Sequence, residues 1–298
     1  MKKKKNISFW LFLAPALISF ALIVIVPLII GIYYSFTDWN GIGVPNFIGI
    51  TNYAKALGDE DILAALLGTS ATPGFWSAFF FTVKFTVVSV IVLNALGLGL
   101  ALLVTQKMKT SSFLRTIFFM PNLIGGLILG FIWQFIFINI FSAIGSATGL
   151  TFFNSWLTDQ HTGFWAMVIL FSWQMAGYLM IIYIAALQNV PEDIIEAAKV
   201  DGASSVKRFR YIVVPMIMPA FTVSLFLALA NSFKMFDQNL ALTNGQAGTE
   251  MLALNIYKTA FTFNNFGQAQ AKAVIFFILV AIITLIQVSL TKDKEVEV

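Results

Sequence analysis

Apolar residues gather along this chain in long unbroken runs: Phe9 to Phe36, Trp76 to Val104, Leu114 to Phe141, Phe164 to Leu187, Val214 to Phe236 and Ala271 to Leu290. Each run can cross a hydrocarbon core of ~30 Å, which takes about 20 helical residues at ~1.5 Å apiece. The pattern predicts an all-α polytopic membrane protein with six transmembrane helices. The organisation expected is a basic N-terminus (1–8), a first span (9–36), an outer loop (37–75), a five-helix core (76–290) and a short tail (291–298). The outer loop carries Gly41, Gly43, Pro45, Gly58 and the acidic run Asp59-Glu60-Asp61. It is too short and broken for a separate domain, although Ile62 to Leu67 predicts a short helix lying on the surface.

Composition agrees, since 59% of the 298 residues are hydrophobic and 11% are charged, against about 25% charged in soluble domains. The basic residues are unevenly placed. With the N-terminus inside, Lys2 to Lys5, Lys107, Lys109, Arg115, Lys199, Lys207, Arg208, Arg210, Lys292 and Lys294 all fall on the inner side, so both termini are expected in the cytoplasm. The lysine-rich start followed by Ala14-Pro15-Ala16 has the look of a signal peptide. The apolar run continues far beyond that point, however, and a retained first helix is expected.

The chain has no Cys and a single His, His161, which excludes disulfides, thiolate chemistry and multi-histidine metal sites. No Gly-rich loop ending in Lys-Ser or Lys-Thr is present to cradle a nucleotide. Gly202-Ala203-Ser204 resembles a membrane-protease nucleophile, but the only His lies on the other side of the bilayer in this topology, out of reach of Ser204.

The cytoplasmic stretch after the fourth run, within 188–213, is the most informative. Pro191 suits a first helical position, Glu192 and Asp193 favour the positive end of a helix dipole, and Ile194, Ile195 and Ala198 give the helix an apolar side. Gly202 permits a tight turn, and Ser204 or Ser205 can cap a second helix carrying Phe209 and Ile212. Helix, turn, helix is predicted. By physics alone this hairpin is either a connector or a docking knob for a cytoplasmic partner.

Glu196-Ala197-Ala198, Asp201-Gly202-Ala203 and Ile212-Val213-Val214-Pro215 together resemble the EAA loop of ABC-importer permeases, with Val-Pro where Leu-Pro is usual. Phe118-Phe119-Met120-Pro121, Trp133, Trp173-Gln174, Ala186-Leu187-Gln188, Phe236-Asp237 and Leu242-Thr243-Asn244-Gly245 extend the likeness to the carbohydrate-uptake permeases. Gln246-Ala247-Gly248 departs from the usual Gly-Pro ending. The resemblance implies the type I importer permease fold in a bacterial plasma (inner) membrane. The partners it implies are a second homologous permease, a cytoplasmic ATPase dimer that binds ATP and Mg, an extracytoplasmic solute-binding protein and a sugar, with no nucleic acid and no cofactor on this chain. It assigns ATPase coupling to Glu196, Ala197, Ala198, Asp201, Gly202, Ile212 and Pro215, with Glu196 meeting a basic group.

For the substrate path, Phe171, Gln174 and Tyr178 fall at i, i+3 and i+7 on one helical face, and Asn231 and Ser232 add polar groups on the fifth run. Such a stripe suits a sugar, whose C–H faces pack on aromatic rings while its hydroxyls bond to amides; it equally suits hydrogen bonding between helices. Lys234 and Asp237 are spaced for a local ion pair, Lys84 for snorkelling, and Asn94 for a bond to a neighbouring helix beside Gly97 and Gly99. An ion-coupled secondary transporter is the alternative function. It lacks a buried acidic relay and leaves the EAA-like spacing unexplained, though Pro121 and Gly125-Gly126 could break the third span.

Overall fold

The computed structural model describes residues 2–70, 74–106 and 109–292. Met1, Lys107 and Lys294, expected on the inner side, lie outside the described residues, as does the tail beyond Lys292. In chain order the helices are α1 (Phe9–Tyr34), α2 (Thr51–Gly58), α3 (Ile62–Leu67), α4 (Phe75–Val104), α5 (Ser111–Phe119), α6 (Gly126–Thr148), α7 (Gln160–Gln188), α8 (Glu192–Val200), α9 (Ser205–Met216), α10 (Met218–Phe233), α11 (Asp237–Leu242), α12 (Leu252–Phe261) and α13 (Phe266–Lys292). Among the described residues no strand forms beyond one isolated bridge, Thr37 to Phe47. Five helices among the described residues (α1, α4, α6, α7 and α13) are long and apolar enough to span a membrane, and α9 with α10, bent by 68°, counts as a sixth when the pair is taken as one span. The chain folds as two compact units, 1–61 with 256–277 and 62–255 with 278–298.

In the first unit, α1 contains a π-turn at Ala21–Ile25, where the Val26 N–H reaches back to the Ala21 carbonyl just before Pro27. The helix stops at Tyr34, two residues short of the expected Phe36. There the Ser35 and Thr37 hydroxyls donate to the Ile32 and Tyr34 carbonyls at 2.6 and 2.8 Å. The Asn52 amide then holds the Ser35 and Thr37 carbonyls at 3.0 and 2.7 Å. Further along, Asp38 accepts from the backbone and side chain of Asn46 at 2.8 and 3.1 Å, which lowers its carboxyl below the usual 3.8.

The second unit is built around α7. Two-thirds of its spanning window, 67%, is buried within the protein, against 33% for α4 and 17% for α6. A helix apolar on all sides belongs in such a position. Because lipid tails are as apolar as leucine, these helices are held by close packing and hydrogen bonds rather than by exclusion of water. Small residues permit that closeness: a side chain at Gly97 would press on the Leu179 Cβ at 2.8 Å, and one at Gly177 would run into the Phe118 carbonyl. Phe85 packs on Phe164 and Phe171, with ring centroids 6.4 and 5.6 Å apart. The Tyr183 hydroxyl donates to Asn94 Oδ1 at 2.6 Å, which is the interhelical role expected of Asn94.

Two spans differ from their predicted course. The third was expected as Leu114 to Phe141. Instead α5 ends at Phe119, a 3₁₀ turn covers Met120–Leu123, Ile124 and Gly125 are extended, and the span proper is α6. Pro121 and the glycine pair break the helix, and the carbonyl freed at Ile124 accepts from Gln174 Nε2 at 3.1 Å, so the break leaves no unpaired carbonyl there. The fifth, expected as Val214 to Phe236, bends at Ile217 between Pro215 and Pro219 and ends at Phe233. Lys234 and Asp237 therefore stand on either side of a helix break and form no ion pair among the described residues. Lys84 sets its ammonium 4.9 Å from the Phe164 ring centroid. The expected surface helix in the outer loop is α3.

Gly177→Val should overpack the α5–α7 contact at a cost of ~1–3 kcal/mol or more, lowering the Tm of the detergent-solubilised protein. Gly99→Ala, whose methyl meets open space, should leave Tm unchanged. Equal behaviour of the two variants would refute the packing argument.

Candidate functional site

At the end of α7 the chain forms a helical hairpin. Pro191 precedes α8 as its N-cap, one position earlier than expected, and Glu192 and Asp193 occupy the first turn. Gly202 has φ +76° with nothing within 4 Å of where a side chain would stand. Its N–H donates to the Lys199 carbonyl at 3.1 Å, and the Ala203 N–H donates to Ala198 at 2.9 Å, the paired bonds of a Schellman turn. The Ser204 hydroxyl then caps α9 by accepting from the Lys207 N–H at 3.4 Å. Arg208 braces the turn, its guanidinium donating to the Ala203 carbonyl and, at 3.1 Å, to the Ser205 hydroxyl.

The base of the hairpin is anchored and its tip is bare. Val190 and Ile195 pack into an apolar cluster with Met180, Tyr183, Val213 and Ile217. Glu196, Ala197, Asp201 and Gly202 are exposed, while Ala198, Ile212 and Pro215 are half-buried. Val200 and Val206 are 87% and 74% exposed, and Tyr211 is also bare. His161 sits in the first turn of the 29-residue α7 and Ser204 lies beyond its far end, a separation of ~40 Å that excludes a Ser–His pair.

The residues expected along the substrate path do not form one continuous exposed stripe. Phe171 is 2% exposed and faces the core. Gln174 uses both ends of its amide, donating to Ile124 and accepting from Gln238 Nε2 at 2.7 Å. Tyr178 and Asn231 are half-buried, with Asn231 donating to the Leu227 carbonyl at 2.8 Å. Ser232 is fully buried and bonds to Ala228 in its own helix at 2.7 Å.

At the end of α7 away from the hairpin, α11 lies against α6, where Gly126 and Gly130 leave room for Gln238 and Ala241. Asn239, fully buried, is the hub of the loop that follows: its amide donates to the Thr243 hydroxyl at 3.0 Å and the Thr249 carbonyl at 2.9 Å, and its oxygen accepts from the Met251 N–H at 3.0 Å. Sequence reading missed Arg208, Gln238 and Asn239. For Arg208 a signal exists, a basic residue just past a glycine turn with free carbonyls. Gln238 meets Gln174 across 64 positions, a juxtaposition no local pattern carries.

Residues 94–295 match the family described as the binding-protein-dependent transport system inner membrane component. The chain belongs to that family. It is 52% identical over 296 residues to the probable starch degradation products transport system permease protein AmyD of Thermoanaerobacterium thermosulfurigenes, with 99% of this chain and 97% of the relative covered. It is 32% identical to the multiple sugar-binding transport system permease protein MsmF of Streptococcus mutans, with 96% of each covered. In fold it is similar to a chain of a bacterial ABC transporter involved in the import of the acidic polysaccharide alginate, at a TM-score of 0.80 and 18% identity, covering 97% of this chain and 96% of that one. The protein is a multi-pass permease subunit of an ABC importer with the type I fold, and not an enzyme. Among the described residues no three His, Cys, Asp or Glu side chains are grouped to hold a metal ion.

Gly202→Val would force a β-branched residue into the left-handed region at ~1–2 kcal/mol. Amide exchange at Ala203 should accelerate ~5–30-fold without loss of the spans; unchanged exchange would show that the turn does not depend on glycine.

Proposed function

We propose that this permease passes an oligosaccharide from an extracytoplasmic binding protein into the cytoplasm of a bacterium, paired with a second homologous permease and driven by a separate ATPase dimer that carries ATP and Mg. Relatives named for starch degradation products, multiple sugars and arabinooligosaccharides support the substrate class. The excess of basic residues on the hairpin side supports a cytoplasmic position for both termini.

The observation that carries the coupling role is the division of the hairpin into a bare tip and an anchored base. Exposed apolar residues beside an acidic one on a rigid turn suit insertion into a cleft with a basic wall. A push on the tip is delivered through Val190 and Ile195 to Ile217, the residue at which α9 and α10 bend. Glu196 meets the basic group, Asp201 and Gly202 shape the turn, Ala197 and Ala198 allow close approach, and Ile212 and Pro215 carry the motion into the span. Along the pathway, Tyr178 and Asn231 retain area to meet sugar, with Phe171, Gln174 and Ser232 supporting the wall.

Glu196→Lys should cut sugar uptake at least ~10-fold, the equivalent of ~1.4 kcal/mol, while insertion and assembly with the second permease persist on co-purification. Normal uptake by this variant would sink the coupling assignment.

A further inference from the structure

A cavity of about 910 Å³ opens at the end of the second unit away from the hairpin, between α6, the 155–158 turn and α11 with its following loop. Its size falls within the ~300–1,000 Å³ of ligand pockets. Its lining mixes the exposed ring of Phe131 and the edge of Trp156 with the hydroxyl or amide side chains of Ser142, Gln134 and Gln246. Among the described residues that line it, none is charged. A neighbouring cavity of about 810 Å³, walled by the other side of the same loop, holds both Lys84 and Glu250.

The uncharged cavity is firmly built. Gln134 Nε2 donates to the Leu242 carbonyl at 3.0 Å, leaving its oxygen to accept. Trp156 stacks on Phe137 at 5.2 Å and donates its indole N–H to Phe152. The Asn239 hub fixes the loop that bears Gln246. The Ser142 hydroxyl and the Gln246 side-chain amide belong to exposed residues and carry no hydrogen bond among the described residues.

We infer that this cavity is an outer subsite for a neutral oligosaccharide, an inference that rests on the reading of the chain as a sugar permease. Rings cover the C–H faces of the sugar while uncharged amides and hydroxyls exchange hydrogen bonds with its hydroxyls. A uronic acid would bring a carboxylate with no counter-charge to meet it, and a charge desolvated without a partner is strongly disfavoured. The site thereby selects neutral over acidic chains of the same length.

The absence of Cys from the chain makes the test direct. Ser142→Cys and Gln246→Cys, each in the assembled importer reconstituted with its binding protein and ATP, are labelled with N-ethylmaleimide and this chain is read by mass. Maltotriose at about ten times its Kd should slow labelling at both positions about tenfold by mass action. Trigalacturonate should leave the rate unchanged, and Val44→Cys, exposed and outside the cavity, should respond to neither. Import of maltotriose with unprotected cysteines would overturn the subsite alone. Equal protection by trigalacturonate would overturn its selectivity for neutral chains. An importer that moves no neutral oligosaccharide would overturn the permease reading, and this one with it.

Discussion

A backbone carbonyl buried without a hydrogen-bond partner costs ~1–3 kcal/mol, and the course of this permease's chain depends on how the breaks between its helices are covered. Several of these breaks are covered by a side chain. Gln174 holds Ile124 where the third span is interrupted, Gln134 holds Leu242 at the end of α11, and Asn239 holds Thr249 in the loop beyond it. Asn52 does the same for Ser35 and Thr37 below α1, and Arg208 for Ala203 in the hairpin turn. In each of these places a polar residue of an apolar chain keeps irregular backbone satisfied.

That commitment shapes the functional surfaces. Gln174 joins α7 to the α5–α6 break and to Gln238 on α11, so a residue with the chemistry of a sugar ligand is also the point where three segments meet. Exposed polar groups without such a commitment stand at the two ends of the second unit. One end has the hairpin, whose acidic and apolar tip is bare; the other has the uncharged cavity with Ser142 and Gln246. Between them α7 runs unbroken, locked to α4 by the Gly97 contact and the Tyr183–Asn94 bond. The coupling proposed above requires such a rigid member beside a joint, and the 68° bend at Ile217 offers that joint.

Much of this was written in the sequence, because the signals are local. Apolar run length determined the number of spans, since the bilayer fixes how many helical residues a crossing takes. The hairpin was legible for the same reason: Pro191, the acids at 192 and 193, Gly202 and Ser204 each act on backbone within a few residues, and each lies within one position of where it was expected. What only the tertiary structure decided is non-local. A proline and two glycines could kink the third span or end it, and the choice fell to Gln174, fifty positions away, whose amide pays for the break. The face that Phe171 presents, the hub at Asn239 and the uncharged cavity depend likewise on partners brought together by packing, and no spacing along the chain records which of two buried helices a side chain will meet.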